Sequence, residues 1–217
     1  MNYIQKIRIR FSKLGDIRFI SHHDLMKVFE RAVRRANIPI VMSEGFNPHP
    51  KLSILLALGL GIAGLDEILE LELVESIPSE ILIERLTQQL PKEICVLSIE
   101  TIPHSPKSSV NDITYDVIFK DTSILETLKI GEFLQQSSII VNRTKDGRQK
   151  SFNIRPSIQD IVVKHNGLSL NLKMTSKGMA RPEEILHALC MNKEKMFFEI
   201  IRTKINLSSD RPGKNHG

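Results

Sequence analysis

Between Ile4 and Phe11 apolar side chains alternate with Lys6, Arg8 and Arg10, slipping once at Gln5-Lys6. This two-residue period predicts a strand with one buried face. A turn at Gly15-Asp16 leads into a short extended run, Ile17–Ile20. The period then changes. Leu25, Phe29, Ala32, Val33 and Ala36 recur at helical spacing on one face, and Lys27, Arg31, Arg34 and Arg35 on another. Ser21-x-x-Asp24 supplies an acidic variant of the capping box, and Pro39 ends the helix. Ile38–Met42 and Leu52–Leu58 read as strands on either side of a loop, Ser43–Lys51. Glu67–Val74 alternates Ile68, Leu69, Leu71 and Leu73 with Glu70 and Glu72, and Glu75 follows, giving a strand with an acidic outer face. Ser79–Leu90 is a helix with Ser79 as its cap and Pro91 beyond it, and Ile94–Ile102 a strand.

After Pro103–Pro106 a similar order recurs. Ile113–Phe119 reads as a strand and Ser123–Gln136 as a helix. Ile139–Thr144 and Arg148–Ile154 flank Asp146-Gly147, a hairpin signal. Leu168–Met174 is a strand, Pro182–Cys190 a helix with Glu183 and Glu184 at its positive end, and Met196–Ile205 the last strand. The expected class is α+β, built from tandem ferredoxin-like (split βαβ) units. Residues 1–103 form the first unit, 104–207 the second, and 208–217 a disordered tail.

Composition narrows the function classes. Hydrophobic residues make up 41% and charged residues 25% of the 217, ordinary for a folded protein. Trp is absent and Tyr occurs twice, so few rings are available for stacking on bases. Cys95 and Cys190 sit in apolar runs without neighbouring ligands, as small buried hydrophobes of a reducing compartment do. With no CxxxCxxC pattern the chain holds no radical SAM cluster of its own, and no cofactor is expected in it. No apolar run reaches the roughly 18–20 residues of a membrane span, and the amino-terminal residues read as a strand rather than a signal peptide. A cytoplasmic protein without membrane contact is expected. The net charge of +5 is segregated. Residues 1–51 carry ten Lys/Arg against four Asp/Glu, residues 52–104 two against nine, and residues 105–217 eighteen against twelve. Basic regions flanking an acidic one point to a polyanion or an acidic partner on one side.

Gly59-Leu60-Gly61-Ile62-Ala63-Gly64 fits the dinucleotide fingerprint in letters. That motif needs a helix directly after it, and here a strand pattern follows, so the glycines read as a tight connection. His22 and His23 are adjacent on a helix and do not converge on one ligand; no metal site is expected. The loop Ser43–Lys51 is more informative. Pro48 and Pro50 hold Asn47 and His49 extended, and the loop presents Asn47, His49 and Lys51 on a stiffened track beside the basic helix. Arg143, Lys145, Arg148 and Lys150 cluster on the hairpin with Arg155 beyond, either as a phosphate clamp or as a charged strand edge. Lys177-Gly178 and Arg181 precede a helix start, where anions are readily held.

Three segments carry a resemblance: Arg18-Phe19-Ile20-Ser21-His22-His23-Asp24-Leu25, Glu30-Arg31-Ala32-Val33-Arg34-Arg35-Ala36, and Ser43-Glu44-Gly45-Phe46-Asn47-Pro48-His49-Pro50-Lys51. Together the chain resembles the radical-SAM-linked protein family, a domain of unknown function, most densely over residues 7–61. Arg181-Pro182 resembles a later family element, and His23 departs from the apolar residue expected there. Members occur as separate chains or fused behind a radical SAM protein. The resemblance therefore implies a radical SAM protein as partner and supplies no catalytic residue.

The leading expectation is a non-catalytic accessory domain that binds RNA, tRNA included, and presents it to that partner. Its nucleic-acid-binding residues would be Lys27, Arg31, Arg34, Arg35, Asn47, His49, Lys51, Arg143, Arg148 and Arg155. A second reading is a metal-independent RNA-processing enzyme, with His22 or His49 as general base and Lys51 steadying developing charge. Tandem ferredoxin-like units resemble CRISPR repeat-processing endoribonucleases, whose glycine-rich loop near the carboxyl end is missing here. A third is a protein-interaction module that docks through Glu70, Glu72 and Glu75 and the basic helix, without nucleic acid.

Overall fold

The computed structural model describes residues 5–105, 107–145, 147–189 and 198–208. The chain forms two compact units, one of the described residues through Val110 together with Leu207 and Ser208, the other Asn111–Asn206. The boundary lies beyond the expected one at 103. The intervening connection is tied to the first unit, because the Ser108 hydroxyl bonds both Arg8 and Glu70. Ser109 likewise accepts the Ser208 backbone N–H at 3.0 Å. Of the tail expected to be disordered over 208–217, Ser208 is held by that bond, and 209–217 lie outside the described residues.

In the first unit β1 (Gln5–Lys13), α1 (His22–Arg35), β2 (Leu52–Ile54), β3 (Ala63–Leu73), α2 (Ser79–Thr87) and β4 (Ile94–Thr101) follow one another. The strand order is β4-β1-β3-β2, and every pairing is antiparallel. Alternation in β1 does what the sequence implies. Ile7, Ile9 and Phe11 face a core shared with Leu69, Leu71 and Leu73 of β3, Leu25, Phe29 and Val33 of α1, and Leu82 and Leu86 of α2. Phe11 and Phe29 meet edge to face, 4.8 Å between centroids. Lys6, Arg8, Glu70 and Glu72 are consequently on the opposite face of the sheet. Ser21 caps α1, its hydroxyl accepting the Asp24 N–H at 3.1 Å. That hydroxyl also donates to the Asp24 carboxylate at 2.7 Å, which holds Asp24 below its ordinary pKa.

Some elements differ from the sequence expectation. Ile17–Ile20 was expected to be extended, but Gly15–Phe19 is a 3-10 turn. The Lys13 ammonium fastens this region through the carbonyls of Arg18 and Ile20, each at 3.3 Å. Ile38–Met42 is no strand; it makes only single bridges, Ile40 to Leu73 and Met42 to Pro50. Leu52–Leu58 pairs as a strand only through Ile54. Pro78, not Ser79, occupies the cap of α2. The Gly59–Gly64 run enters β3 directly at Ala63, with Gly61 at φ +80° in a tight turn, so it opens no helix. Cys95, expected to be buried, is exposed on β4, where Ile94 and Ile99 take the inward positions. Cys190 lies outside the described residues.

The second unit contains β5 (Val110–Phe119), α3 (Ile130–Gln135), β6 (Ile140–Lys145), β7 (Arg148–Asn153), β8 (Ile158–Lys164), β9 (Gly167–Lys173), α4 (Pro182–Leu189) and β10 (Phe198–Leu207). Its sheet runs β10-β5-β9-β8, and β6-β7 is a separate hairpin. The expected helix Ser123–Gln136 is split. Asp121 caps a 3-10 turn, Thr122–Thr127, the chain extends at Leu128, and only Ile130–Gln135 is α-helical. Strand β8 was not expected. It pairs with β9 across a turn at His165-Asn166. Gly167 packs so closely on β5 that a Cβ there would overlap the Val117 carbonyl oxygen. The molecule is thus a mixed α+β protein with mostly antiparallel strand pairing, and no helix among the described residues is long and apolar enough to cross a membrane.

Candidate nucleic-acid interface and a cavity on the first unit

Helix α1 buries Leu25, Phe29, Ala32 and Val33 and leaves its basic residues exposed. Their engagements differ. Lys27 lies 3.5 Å from the Asp24 carboxylate, with both side chains more than half exposed. Arg35 donates to the Gln89 carbonyl at 2.7 Å. The side chains of Arg31 and Arg34 have no hydrogen bond or ion pair among the described residues. Spaced three apart, they share one face of the helix.

The loop Ser43–Lys51 is closed at its neck. Ser43 N–H donates to the His49 carbonyl at 2.7 Å, and His49 N–H donates to the Ser43 hydroxyl at 2.9 Å. Below that, Lys51 N–H donates to Val41 O at 2.7 Å, and Val41 N–H to Glu72 O at 2.8 Å on β3. The tip stands clear of the unit. Gly45 has φ +118°, Asn47 and His49 are exposed, and Phe46 is fully exposed. Phe46 was not among the sequence candidates. A lone ring inside a polar Gly/Asn/Pro loop, off any hydrophobic period, was the available signal.

On the sheet face away from the helices, charges interlock. Glu70 is 5% exposed and accepts Lys6 at 2.7 Å, Arg8 at 3.2 Å and the Ser108 hydroxyl. Arg8 also reaches Glu100 at 2.9 Å. Burial pushes the Glu70 carboxyl up, but the donors Lys6, Ser108 and Arg8 outweigh it and hold the pKa below its ordinary value. The acidic outer face expected at Glu70, Glu72 and Glu75 is therefore closed at Glu70. Beside this network is a cavity of about 380 Å³. Lys51, at the foot of the loop, forms one wall with Glu72, 3.7 Å away. His104, Lys107 and Ser108 of the connection form another, and Leu55 supplies apolar surface; Leu52 and Leu71 also border it, with their side chains in the core on the helix side of the sheet.

Of the histidines singled out by sequence, His22 opens α1 and is exposed, and His49 is exposed on the loop. Neither imidazole bonds to a second catalytic group among the described residues. Among those residues no group of three or more His, Cys, Asp or Glu is arranged to hold a metal ion.

The second unit uses its arginines differently. Arg143 makes a two-pronged pair with Glu184 at 2.7 and 2.8 Å, donates to Met179 O at 2.8 Å, and lies 4.7 Å from the Phe152 ring centroid. Burial raises the Glu184 pKa, but Arg143 and the Arg181 N–H outweigh it, leaving the carboxyl below its ordinary value. Because Glu184 accepts that N–H at 2.9 Å, the anion position expected ahead of α4 is filled by the chain's own carboxylate. Arg155 donates twice to Leu134 O and once to Ile158 O. Arg143 and Arg155 thus brace the unit from within, their donors engaged by acceptors of the same unit. Arg148 and Lys150 are exposed on β7.

Over residues 6–184 the sequence matches the family described as an uncharacterized protein conserved in bacteria (DUF2344), and the chain belongs to that family. No curated protein matches it.

Proposed function

We propose that this member of the family is an RNA-binding accessory protein that acts through the first unit, with α1 and the Ser43–Lys51 loop as its contact surface. The observation that carries the reading is the contrast among its arginines. Arg31 and Arg34 stand exposed with no side-chain partner among the described residues, whereas Arg143 and Arg155 are engaged inside the second unit. Phosphate contacts of this kind supply affinity without sequence preference. The fully exposed Phe46, held out on a clamped loop, adds a ring on which an unpaired base can stack.

Each unit is read as ferredoxin-like. The first runs β-α-β-β-α-β with order β4-β1-β3-β2. The second keeps the same relative order, β10-β5-β9-β8, with the β6-β7 hairpin as an insertion. A radical SAM protein as the recipient of the RNA rests on the resemblance of the three motifs alone.

The test is binding of total cellular RNA by the full chain beside an Arg31→Glu/Arg34→Glu variant. Loss of binding in a variant with unchanged thermal unfolding is expected. Equal binding by both would refute the assignment. For the partner, an iron–sulfur protein that copurifies with the chain and is released by ribonuclease is expected; a complex indifferent to ribonuclease would favour docking by protein surface alone.

A further inference from the structure

We infer that the cavity on the first unit binds a nucleoside monophosphate group, either as a free nucleotide or as the phosphorylated end of an RNA strand. This site is distinct from the α1 surface, and its free-nucleotide form does not depend on the RNA reading above.

Three properties lead there. The first is size. At about 380 Å³ the cavity is at the small end of ligand pockets, which run about 300–1,000 Å³, and holds one ring-bearing group rather than an extended chain. The second is charge. Lys6, Lys51 and Lys107 line it against Glu70 and Glu72. Glu70 is already compensated by Lys6, Arg8 and Ser108, so it presents little net negative charge to the interior. The remaining balance is Lys51 and Lys107 against Glu72 alone, and the Lys51–Glu72 contact at 3.7 Å is a loose one with both groups partly exposed. An incoming phosphate can draw Lys51 away from Glu72 at small cost. The third is the apolar wall. Leu55 lines the same space together with the aliphatic stems of Lys6, Lys51 and Lys107, and a purely inorganic anion would leave that surface uncovered. A flat, weakly polar ring joined to a phosphate matches both halves.

The position of Lys51 links the two surfaces. Its backbone closes the foot of the loop, and its side chain lines the cavity.

Titration calorimetry on the full chain would use AMP, CMP, adenosine and inorganic phosphate as probes. A 5′-phosphorylated and a 5′-hydroxyl oligonucleotide of one sequence would form the second arm. Binding of at least one nucleotide, with adenosine and phosphate each weaker, is expected. Lys107→Ala should weaken it about tenfold, the usual size of a lost charge-assisted bond. Ser53→Phe, which narrows the cavity from β2, should abolish it. Glu72→Gln, which frees Lys51, should tighten it. A preference for the 5′-phosphorylated oligonucleotide that Lys107→Ala removes would assign the strand end as ligand. Preference for the free nucleotide alone would assign the metabolite. No measurable binding of any nucleotide or phosphorylated end, or binding unchanged in both Lys107→Ala and Ser53→Phe, would overturn the inference. Failure of Arg31→Glu/Arg34→Glu to affect RNA binding would refute the α1 reading and leave this one standing.

Discussion

Replacing Glu70 with alanine tests the charge network beneath the cavity. The carboxylate is 5% exposed and accepts an ammonium at 2.7 Å, a guanidinium at 3.2 Å and a hydroxyl. Removing one member of a buried pair typically costs about 3–5 kcal/mol, because the remaining charge is stranded. Two features lower the figure here. Arg8 keeps Glu100 at 2.9 Å, and Lys6, 13% exposed, can turn toward water. The expected loss is therefore about 3 kcal/mol, at the low end of that range. Glu72→Ala is the control. Its partner Lys51 is 3.7 Å away and partly exposed, so about 0–1 kcal/mol is expected. Because two units need not unfold as one, protection of β1 and β3 amides against hydrogen exchange should be followed beside urea unfolding. Equal losses for Glu70→Ala and Glu72→Ala, or a loss confined to second-unit amides, would refute the reasoning.

Acid should act through the same group. The Glu70 and Glu184 pKa values are both depressed from the ordinary 4.5. Each contributes stability that is fully present above that value and is lost as pH falls through its lower folded value. An acid titration of stability should show that loss below about pH 4.5, and a smaller one in Glu70→Gln. In the second unit Arg143→Ala should cost about 1.5–3 kcal/mol in urea unfolding and Arg148→Ala no more than about 0.5 kcal/mol, since only the first strips a partly buried carboxylate of its two-pronged partner and leaves it the Arg181 N–H alone. Similar losses for the two would contradict the bracing role. Gly167→Ala should prevent normal folding of the second unit, because the added carbon overlaps the Val117 carbonyl of a paired strand; a well-folded variant by circular dichroism would show that β5 and β9 separate more readily than described.

How much of this was legible depended on whether the signal was local. The period of β1, the Ser21 cap and the apolar stripe of α1 are short-range features, and each appears where the letters put it. Strand β8 was legible in part, since Ile161 to Val163 is β-rich and Asn166-Gly167 follows a run of strand-forming residues, but the turn was not read as a hairpin. Ile38–Met42 has the composition of a strand yet makes only single bridges, because pairing depends on what lies across the gap. The site divides in the same way. Exposure of Arg31 and Arg34 follows from helical spacing, but the fate of Arg143 and Arg155 depends on Glu184, Leu134 and Ile158, distant or off-pattern partners that charge counting does not see. The cavity was invisible for the same reason, since Lys6, Lys51 and Lys107 meet only once the sheet and the connection are in place.

The central claim is tested most directly by RNA affinity across a salt series. Four exposed cations on α1, Lys27, Arg31, Arg34 and Arg35, give a log–log slope of about −3 on single-stranded RNA, at about 0.7 per phosphate neutralised. Arg31→Glu/Arg34→Glu should reduce the slope by about 1.4 and weaken binding at every salt concentration. A wild-type slope near zero, or one that the double substitution leaves unchanged, would contradict the account.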